Sequence, residues 1–249
     1  MQTGILGKYL PVVTGVKLLL TAASPMQSLL DRPGITHEFC NRQAVKILRT
    51  DGFTHCAAFF EQYLTELNGG VYWADKGWKN IGHYFEPLTN RGLWHFANAT
   101  EDFQYYYHCA LTNMQEKDYA KAVFFLGAAI HLVQDLCVPH HARAKLFCGH
   151  KEYEEWAQLN YSHYTVTERG MYNEGTSAHL WLLSNAIIAA DLFDMVNGIQ
   201  DAAVYDKVTA ILLPRAQRST AGFLQQFFAA TVAETTHVKV IPNKNVIVA

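Results

Sequence analysis

Apolar side chains recur at helical spacing along most of the chain. The pattern predicts helices over about residues 36–49, 53–68, 96–116, 118–137, 150–162, 176–198, 200–212 and 216–234. Boundary residues support these limits, since Gly69-Gly70 is expected to close the second helix, Asp118 to cap the fourth, and Pro139 to end it. The sequence therefore predicts an all-α, single-domain multi-helix bundle.

Three stretches depart from helical spacing. Residues 71–94 hold Gly, Pro, Asn and Trp without a period, and we expect a long loop of the kind that often carries function. Residues 163–175 are expected to be irregular, and residues 236–249 to form a tail or an edge ribbon. We thus divide the chain into an apolar N-terminal segment over 1–26, a domain over 27–235 and a C-terminal tail over 236–249.

The N-terminal segment is ambiguous. Residues 4–23 are mostly apolar, but Lys8, Pro11 and Lys17 interrupt the run too often for a transmembrane span. A signal peptide and an amphipathic helix that stays on the mature protein both fit. We favour a secreted or membrane-surface protein, with a cytoplasmic location as the alternative.

Composition narrows the function classes. The chain has 249 residues, half of them apolar, so it can bury a large core and disorder over most of its length is excluded. Its formal net charge is −2 and no basic tract stands out, so no nucleic-acid partner is expected. Nothing in the sequence indicates an obligate protein partner.

Metal-ligand residue types form two pairs at the helical i, i+4 spacing, His131/Asp135 and His150/Glu154. Residues four apart lie on one helix face with Cβ atoms about 5–6 Å apart, so both can bind one cation. Imidazole with carboxylate suits Zn²⁺. One such pair is often an ordinary helix-face pair, but here Pro139 and a further histidine, His141, lie between two of them. The spacing predicts a zinc site built from several helices.

Three residues outside this segment are further candidate ligands. Asp75 and His83 lie in the predicted loop, and His37 opens the first helix. Taken alone, His37 is more typical of a cap or a surface residue. With these three, eight residues are candidate ligands of a zinc site in the core cleft of the bundle.

The motifs around these residues resemble those of the zinc-dependent phospholipase C family, whose wider superfamily includes the P1/S1 nucleases. The matching segments are Thr36-His37, Tyr72-x-Ala74-Asp75, His83-Tyr84-Phe85-x-Pro87, Phe124-Phe125-Leu126-Gly127, His131-x-x-x-Asp135, Pro139-x-His141-Ala142, His150-x-x-Tyr153-Glu154 and Ala216-Gln217-Arg218-x-Thr220-Ala221-Gly222. The matching segments span about residues 36–230. The resemblance therefore implies that residues 27–235 form a catalytic domain.

The resemblance implies three zinc ions in an all-α fold. Asp75, His83, His131 and Asp135 would hold one ion; His141, His150 and Glu154 a second; and His37, with Asp135 as a bridge, the third. The protein would be a hydrolase, a phosphodiesterase that acts on phospholipid, contacts the membrane surface, and releases diacylglycerol and a phosphorylated headgroup. Zinc ions that clamp the phosphate and lower the pKa of a bound water toward ~7 fit this chemistry, with Asp75 as the base or positioner of that water.

The chain departs from the family's pattern at several places. No tryptophan precedes His37, although the family uses one at the mature N-terminus for its third ion, so we expect two or three ions. Lys76 replaces an aromatic residue of the choline pocket, which suggests an anionic headgroup. Gln134 stands where a small residue is usual, and Ala144 replaces an asparagine. The family's C-terminal lipid-binding domain is missing, which predicts a minimal catalytic core.

Two alternatives share the metal site. The first is a P1/S1-like nuclease or nucleotidase, whose pocket would stack a base on Trp73, Trp78, Tyr84 or Phe85. The second is a catalytically silent, zinc-stabilised helical protein that binds membranes through residues 4–23. Structural zinc sites are normally closed, whereas Asp75 and His83 would leave an open position.

Overall fold

A computed structural model describes residues 34–95, 98–175 and 177–233, with only the backbone described for Trp78, His95 and Ala233. Ten α-helices occupy these ranges: α1 (Ile35–Thr50), α2 (Thr54–Gln62), α3 (Leu64–Ala74), α4 (Ala99–Gln115), α5 (Tyr119–Asp135), α6 (Pro139–Ala142), α7 (His150–Asn160), α8 (Leu180–Asp191), α9 (Phe193–Val196) and α10 (Ala202–Phe228). Short 3₁₀ stretches cover Gly77–His83, Leu93–His95 and Tyr161–Tyr164, and Ala229–Ala233 forms a π-turn. In these ranges no strand forms, and one isolated bridge joins Glu86 and Arg91. The all-α prediction is confirmed.

Helix α5 is the centre of the bundle. Its residues from Leu126 to Asp135 are all buried, and it packs against α3, α4, α8 and α10. Asp118 caps the helix by accepting a hydrogen bond from the backbone N–H of Lys121, as predicted. A helix covered on several sides needs apolar residues around most of its circumference, which the run Leu126–Val133 supplies around His131. The buried C-terminal turn of α5 carries Asp135 into the interior.

The predicted helix end at Gly69-Gly70 is wrong, because α3 continues to Ala74. The reason lies in packing between helices. A Cβ atom on Gly70 would lie 1.8 Å from the carbonyl oxygen of Phe124 on α5, and one on Gly127 of α5 would lie 2.0 Å from the carbonyl oxygen of Leu67. The two glycines allow the backbones of α3 and α5 to touch, so here glycine serves close approach rather than termination. The predicted loop over 71–94 thus begins as helix.

Two predicted helix boundaries near prolines also need correction. The helix predicted to run to 137 ends at Asp135, and Pro139 is the first residue of α6, where its missing N–H costs nothing. The helices predicted over 200–212 and 216–234 are one helix, α10, which runs through Pro214. An internal proline costs about 3 kcal/mol. Leu212, Leu213 and Ala216 are buried on both sides of Pro214, and their burial offsets that cost.

The predicted irregular stretch 163–175 is confirmed beyond the 3₁₀ turn that ends at Tyr164. The expectations for residues 4–23 and 236–249 lie outside the described residues. Over 34–95, 98–175 and 177–233, no helix combines the length and the apolar character that crossing a bilayer demands.

Candidate metal centre

The eight predicted ligand residues come from six neighbouring elements. His37 lies in the first turn of α1, Asp75 follows the last residue of α3, and His83 ends the 3₁₀ stretch Gly77–His83. The remaining five lie on helices: His131 and Asp135 on α5, His141 on α6, and His150 and Glu154 on α7. The structure brings all eight together around one cavity.

That cavity has a volume of about 400 Å³. Seven of the eight residues line it, whereas His131 is fully buried directly behind Asp135. The predicted loop also contributes Asn80, Ile81, Leu93 and Trp94 to the lining. The rest of the wall is mostly apolar and includes Val138, Leu146, Phe147, Ala157, Leu212, Leu213 and Ala216. The ligand residues thus form a polar part of the lining, here called the floor, and the rest of the lining, here called the wall, is mostly apolar.

Asp135 is the hub of the polar floor. Its Oδ2 atom lies 2.8 Å from His83 Nδ1, 3.2 Å from His131 Nε2 and 3.7 Å from His141 Nδ1. Its Oδ1 atom lies 3.3 Å from His37 Nε2. Four imidazoles from four elements thus crowd one buried carboxylate.

A second group forms where α6 meets α7. Glu154 Oε1 lies 2.8 Å from His150 Nε2 and 3.1 Å from His141 Nε2. The His150/Glu154 contact is the i, i+4 pair that the sequence predicted. His141 reaches toward both groups with different nitrogens, which joins Glu154 to the hub at Asp135.

The third group lies at the end of α3. His131 Nε2 is 3.8 Å from Asp75 Oδ1 and 3.2 Å from His83 Nδ1. Two ring nitrogens this close cannot both carry hydrogens that point at each other. A cation bound between His83 Nδ1 and His131 Nε2 would instead accept a lone pair from each ring. The other nitrogen of each ring, His83 Nε2 and His131 Nδ1, is buried without a hydrogen-bond partner among the described residues.

The donor atoms fit divalent zinc. They fall into three groups, His37/His131/Asp135, Asp75/His83/His131 and His141/His150/Glu154, and within each the ligand atoms lie within 4.8 Å of one another. Each group mixes imidazole nitrogens with a carboxylate oxygen, the ligand set that Zn²⁺ accepts. The geometry therefore offers three candidate groups of ligands for metal ions, two of which share His131.

The electrostatics of the hub keep carboxylates charged. Burial alone would raise the pKa of Asp135, but His131 and His141 hold it well below its usual range. Burial lowers the pKa of His131 to about 3, so this imidazole stays neutral and keeps a lone pair. Burial would also lower the pKa of His141, yet Asp135 and Glu154 raise it to about 9.

Several supporting contacts were not predicted. His141 Nδ1 lies 3.2 Å from the carbonyl oxygen of His83, so this nitrogen carries the hydrogen and Nε2 faces Glu154. The ring of Tyr84 stacks on His141 at 4.5 Å between centroids. His140 stacks on His150 at 5.0 Å between ring centroids. Its place next to His141 in the sequence was the available signal for this contact.

Three residues that the sequence suggested for substrate binding, Lys76, Trp73 and Phe85, do not line the cavity. Lys76 is exposed and does not line the cavity. Trp73 packs in the core against Tyr106, Phe124 and Phe125. Phe85 is buried in the same core. The proposed base-stacking aromatics are thus largely engaged in packing.

The fold and the donor groups define an all-α protein with a histidine- and carboxylate-lined metal centre. A family model described as zinc dependent phospholipase C matches residues 36–206, more than half of the chain. The chain belongs to the zinc-dependent phospholipase C family, which places it among the hydrolases and confirms the resemblance of the motifs.

Individual relatives agree with this assignment. A phospholipase C of Bacillus cereus is 29% identical over 204 residues, covering 69% of this chain and 71% of the relative. A phospholipase C of Listeria monocytogenes is 29% identical over 183 residues, covering 65% of this chain and 62% of the relative.

Two solved toxins share the fold. The alpha toxin of Clostridium absonum superposes with a TM-score of 0.71 at 18% identity, covering 82% of this chain and 65% of the toxin. The alpha-toxin of Clostridium perfringens has a TM-score of 0.68 at 21% identity, covering 84% of this chain and 66% of the toxin. This chain thus spans slightly less than two thirds of each toxin.

Proposed function

We propose that the protein hydrolyses the glycerol-side phosphodiester bond of phospholipids and releases diacylglycerol and a phosphorylated headgroup. One observation carries the proposal: three groups of metal-ligand residues lie at the floor of a cavity whose remaining wall is mostly apolar. A phospholipid has a charged phosphodiester next to acyl chains, so its two parts match the floor and the wall.

We propose that His37, Asp75, His83, His131, Asp135, His141, His150 and Glu154 hold two or three zinc ions. Bound zinc lowers the pKa of water toward about 7 and offsets the negative charge of a phosphodiester. The protein environment also sets the charge states of two of these proposed ligands. Asp135 stays ionised inside the protein because imidazoles surround it, and His131 stays neutral because it is buried.

Asp75 is the proposed catalytic base. Its side chain is half-buried, lines the cavity, and lies at the end of α3 beside His131, so it reaches both the metal groups and the open space. In the proposed reaction Asp75 orients water and accepts its proton. The water oxygen bonds to phosphorus, the bond between phosphorus and the glycerol oxygen breaks, and the proton that Asp75 accepted passes to that oxygen to complete the alcohol of diacylglycerol.

The nuclease alternative needs aromatic faces that are free to stack on a base. Of the aromatics predicted for that role, Trp73 and Phe85 pack in the core, and Tyr84 lines the cavity but is stacked on His141. Trp94 and Phe147 also line the cavity, but the mostly apolar wall offers the polar edges of a base few partners. Phospholipid therefore fits the cavity better than a nucleotide does.

A substrate comparison tests the proposed function. Zinc-loaded protein is incubated with vesicles of phosphatidylcholine, vesicles of phosphatidylglycerol, and single-stranded DNA. We expect diacylglycerol and phosphorylated headgroup from a lipid, and intact DNA. The ratio of kcat/KM for the two lipids also tests the prediction that Lys76 favours an anionic headgroup. Release of phosphatidic acid, or cleavage of DNA alone, would refute the proposal.

The Asp75→Asn variant tests whether Asp75 is the catalytic base. We expect turnover to fall by about 100-fold or more, the usual contribution of general base catalysis, while the free energy of unfolding stays within about 1 kcal/mol. Asp118→Asn is the matched control, since asparagine caps a helix as well as aspartate does. An unchanged kcat in Asp75→Asn would remove this residue from the mechanism.

We also propose that the mouth of the cavity contacts the lipid surface. Trp94 and Phe147 line the cavity and yet are 50% and 68% exposed. Trp94 has a positive φ of 53°, uncommon for a bulky residue and typical of functional positions. Aromatic side chains at a substrate entrance can insert between lipid headgroups.

Vesicle sedimentation tests this contact, in the Asp75→Asn background so that lipid is not consumed. We expect Trp94→Ala and Phe147→Ala each to weaken binding about 10-fold, from the lost burial of one large side chain. Tyr105→Ala is the control, because Tyr105 is 60% exposed but does not line the cavity. Equal binding by all three variants would contradict the proposal.

A further inference from the structure

Gln134 stands next to the hub residue Asp135, at a position where the resemblance predicts a small side chain. Instead, a buried amide reaches from α5 toward α1. Gln134 Oε1 lies 2.9 Å from His37 Nδ1, and Gln134 Nε2 lies 3.0 Å from Asn41 Oδ1 and 2.9 Å from Thr220 Oγ1. Three helices are thus linked through one side chain.

The orientation of this amide follows from its neighbours. The Thr220 hydroxyl has one hydrogen, which it donates to the carbonyl oxygen of Ala216 at 2.7 Å. Toward Gln134 it can therefore only accept, so the amide nitrogen must face Thr220. The amide oxygen then faces His37, as the contact distances show.

An amide oxygen cannot donate, so His37 Nδ1 must carry the hydrogen in this contact. In the neutral imidazole the lone pair then lies on Nε2, the atom 3.3 Å from Asp135 Oδ1. His37 belongs to the His37/His131/Asp135 donor group, and Nε2 is its nitrogen that faces Asp135. The Thr220–Gln134 pair thus selects the tautomer that presents a ligand atom to this group.

We propose that Gln134 is a positioning residue that orients His37 as a metal ligand, with Thr220 and Asn41 holding the amide in place. Asn41 is itself held by Asn68, to which it donates at 2.9 Å, and Asn41 and Thr220 are fully buried. The ring of His37 needs such support because its side chain is 20% exposed and lies in the first turn of a helix. The inference rests on the proposed role of His37 as a ligand.

Two measurements on the same variants test the proposal. Long-range ¹H–¹⁵N NMR spectra of the metal-free protein report which nitrogen of His37 carries the hydrogen, and a competition titration with a chromogenic chelator reports zinc affinity. In the wild type we expect hydrogen on Nδ1. In Gln134→Leu and in Thr220→Val we expect a mixture of tautomers, and zinc binding weakened about 10- to 100-fold at one site, as for lost supporting hydrogen bonds elsewhere.

The controls separate this role from general packing. Thr220→Ser keeps the hydroxyl and should restore both readouts. Ser219→Ala removes a buried hydroxyl on the same turn of α10 that also contacts the carbonyl oxygen of Ala216, and should change neither. If Gln134→Leu does not fold, Thr220→Val decides the matter, because it leaves Gln134 in place.

The outcomes distinguish the two proposals. An unchanged His37 tautomer in Gln134→Leu or Thr220→Val overturns the positioning role, and so does a changed tautomer with unchanged zinc affinity. His37→Ala is titrated in parallel. If it keeps every zinc ion at wild-type affinity, His37 is not a ligand and the ligand assignment fails, whereas the NMR comparison still decides whether Gln134 orients the ring.

Discussion

Asp135 connects the donor groups because both of its oxygens face histidines from different elements. His37 and His83 lie on opposite sides of the carboxylate, with His131 behind it. A carboxylate in that position can bridge two cations, whereas each surrounding imidazole offers one lone pair at a time. The arrangement makes Asp135 the residue whose loss affects the largest number of proposed metal sites.

The Asp135→Ala variant should therefore lose at least one zinc ion per chain. Zinc content after exhaustive dialysis, measured by mass spectrometry of the metal, checks this expectation. Asp191→Ala provides the control, since Asp191 is an exposed carboxylate on α8. Full retention of zinc by Asp135→Ala would count against its assignment as a shared ligand.

The sequence predicted these site residues to different degrees. The His150/Glu154 pair follows from local spacing, because a helix places residues four apart on one face. Asp75 and His83 were candidates by residue type alone, and only the family resemblance assigned them to an ion, since nothing local links a loop residue to a distant helix. The role of Gln134 could not be predicted, because its partners Asn41 and Thr220 lie 93 and 86 residues away along the chain.

At the scale of helices, the contact between α3 and α5 determines part of the site, because Asp75 follows the last residue of α3 and His131 lies on α5. Gly70 lies where the two backbones meet, and Gly69 beside it has more space. A Cβ atom on Gly69 would lie 3.6 Å from the ring of Phe124, an ordinary contact, whereas one on Gly70 would lie 1.8 Å from a backbone oxygen.

Adjacent alanine substitutions should therefore have opposite effects. Gly70→Ala must push α3 away from α5 and should destabilise the protein by several kcal/mol, on the order of 3 or more, as severe overpacking does. Gly69→Ala should leave stability unchanged or raise it by up to about 1 kcal/mol, because alanine favours the helix. Urea unfolding curves measure both. Similar midpoints for the two variants would show that this contact is looser than described.

Helix boundaries were predictable where their cause is local. Asp118 caps α5 through its own neighbour Lys121, and the spacing of apolar residues sufficed for α1. Boundaries that depend on tertiary contacts were not predictable. A Gly-Gly pair such as Gly69-Gly70 occurs both at helix ends and where two helices cross, so the sequence alone does not distinguish the two. Likewise, the sequence alone does not show whether buried side chains offset the cost of Pro214 inside a helix.

At the scale of the whole molecule, zinc binding and folding should be coupled. The proposed ligands come from α1, α3, α5, α6, α7 and a 3₁₀ stretch, so the site exists only when these elements are packed together. A ligand that binds only the folded state stabilises it by about 2.7 kcal/mol at 100 times its dissociation constant. Chelation should then lower Tm by about 5 to 10 °C in a protein of this size.

The size of this zinc effect should depend on pH through His141. In the metal-free protein, Asp135 and Glu154 raise the pKa of His141 to about 9, above its value of about 6.5 in an unfolded chain. The bound proton thus stabilises the metal-free fold fully below about pH 6.5, and that contribution is lost as pH rises toward 9. Zinc must displace the same proton, so it competes best at high pH.

The difference in Tm between zinc-loaded and chelated protein should therefore widen from pH 6.5 to pH 9. Scanning calorimetry with and without chelator at half-unit steps measures it. His141→Gln, which removes the titrating group, should show a smaller difference that changes less with pH. Parallel Tm curves for loaded and chelated wild type across this range would mean that zinc and the His141 proton do not compete. In that case the His141/His150/Glu154 group does not take up metal.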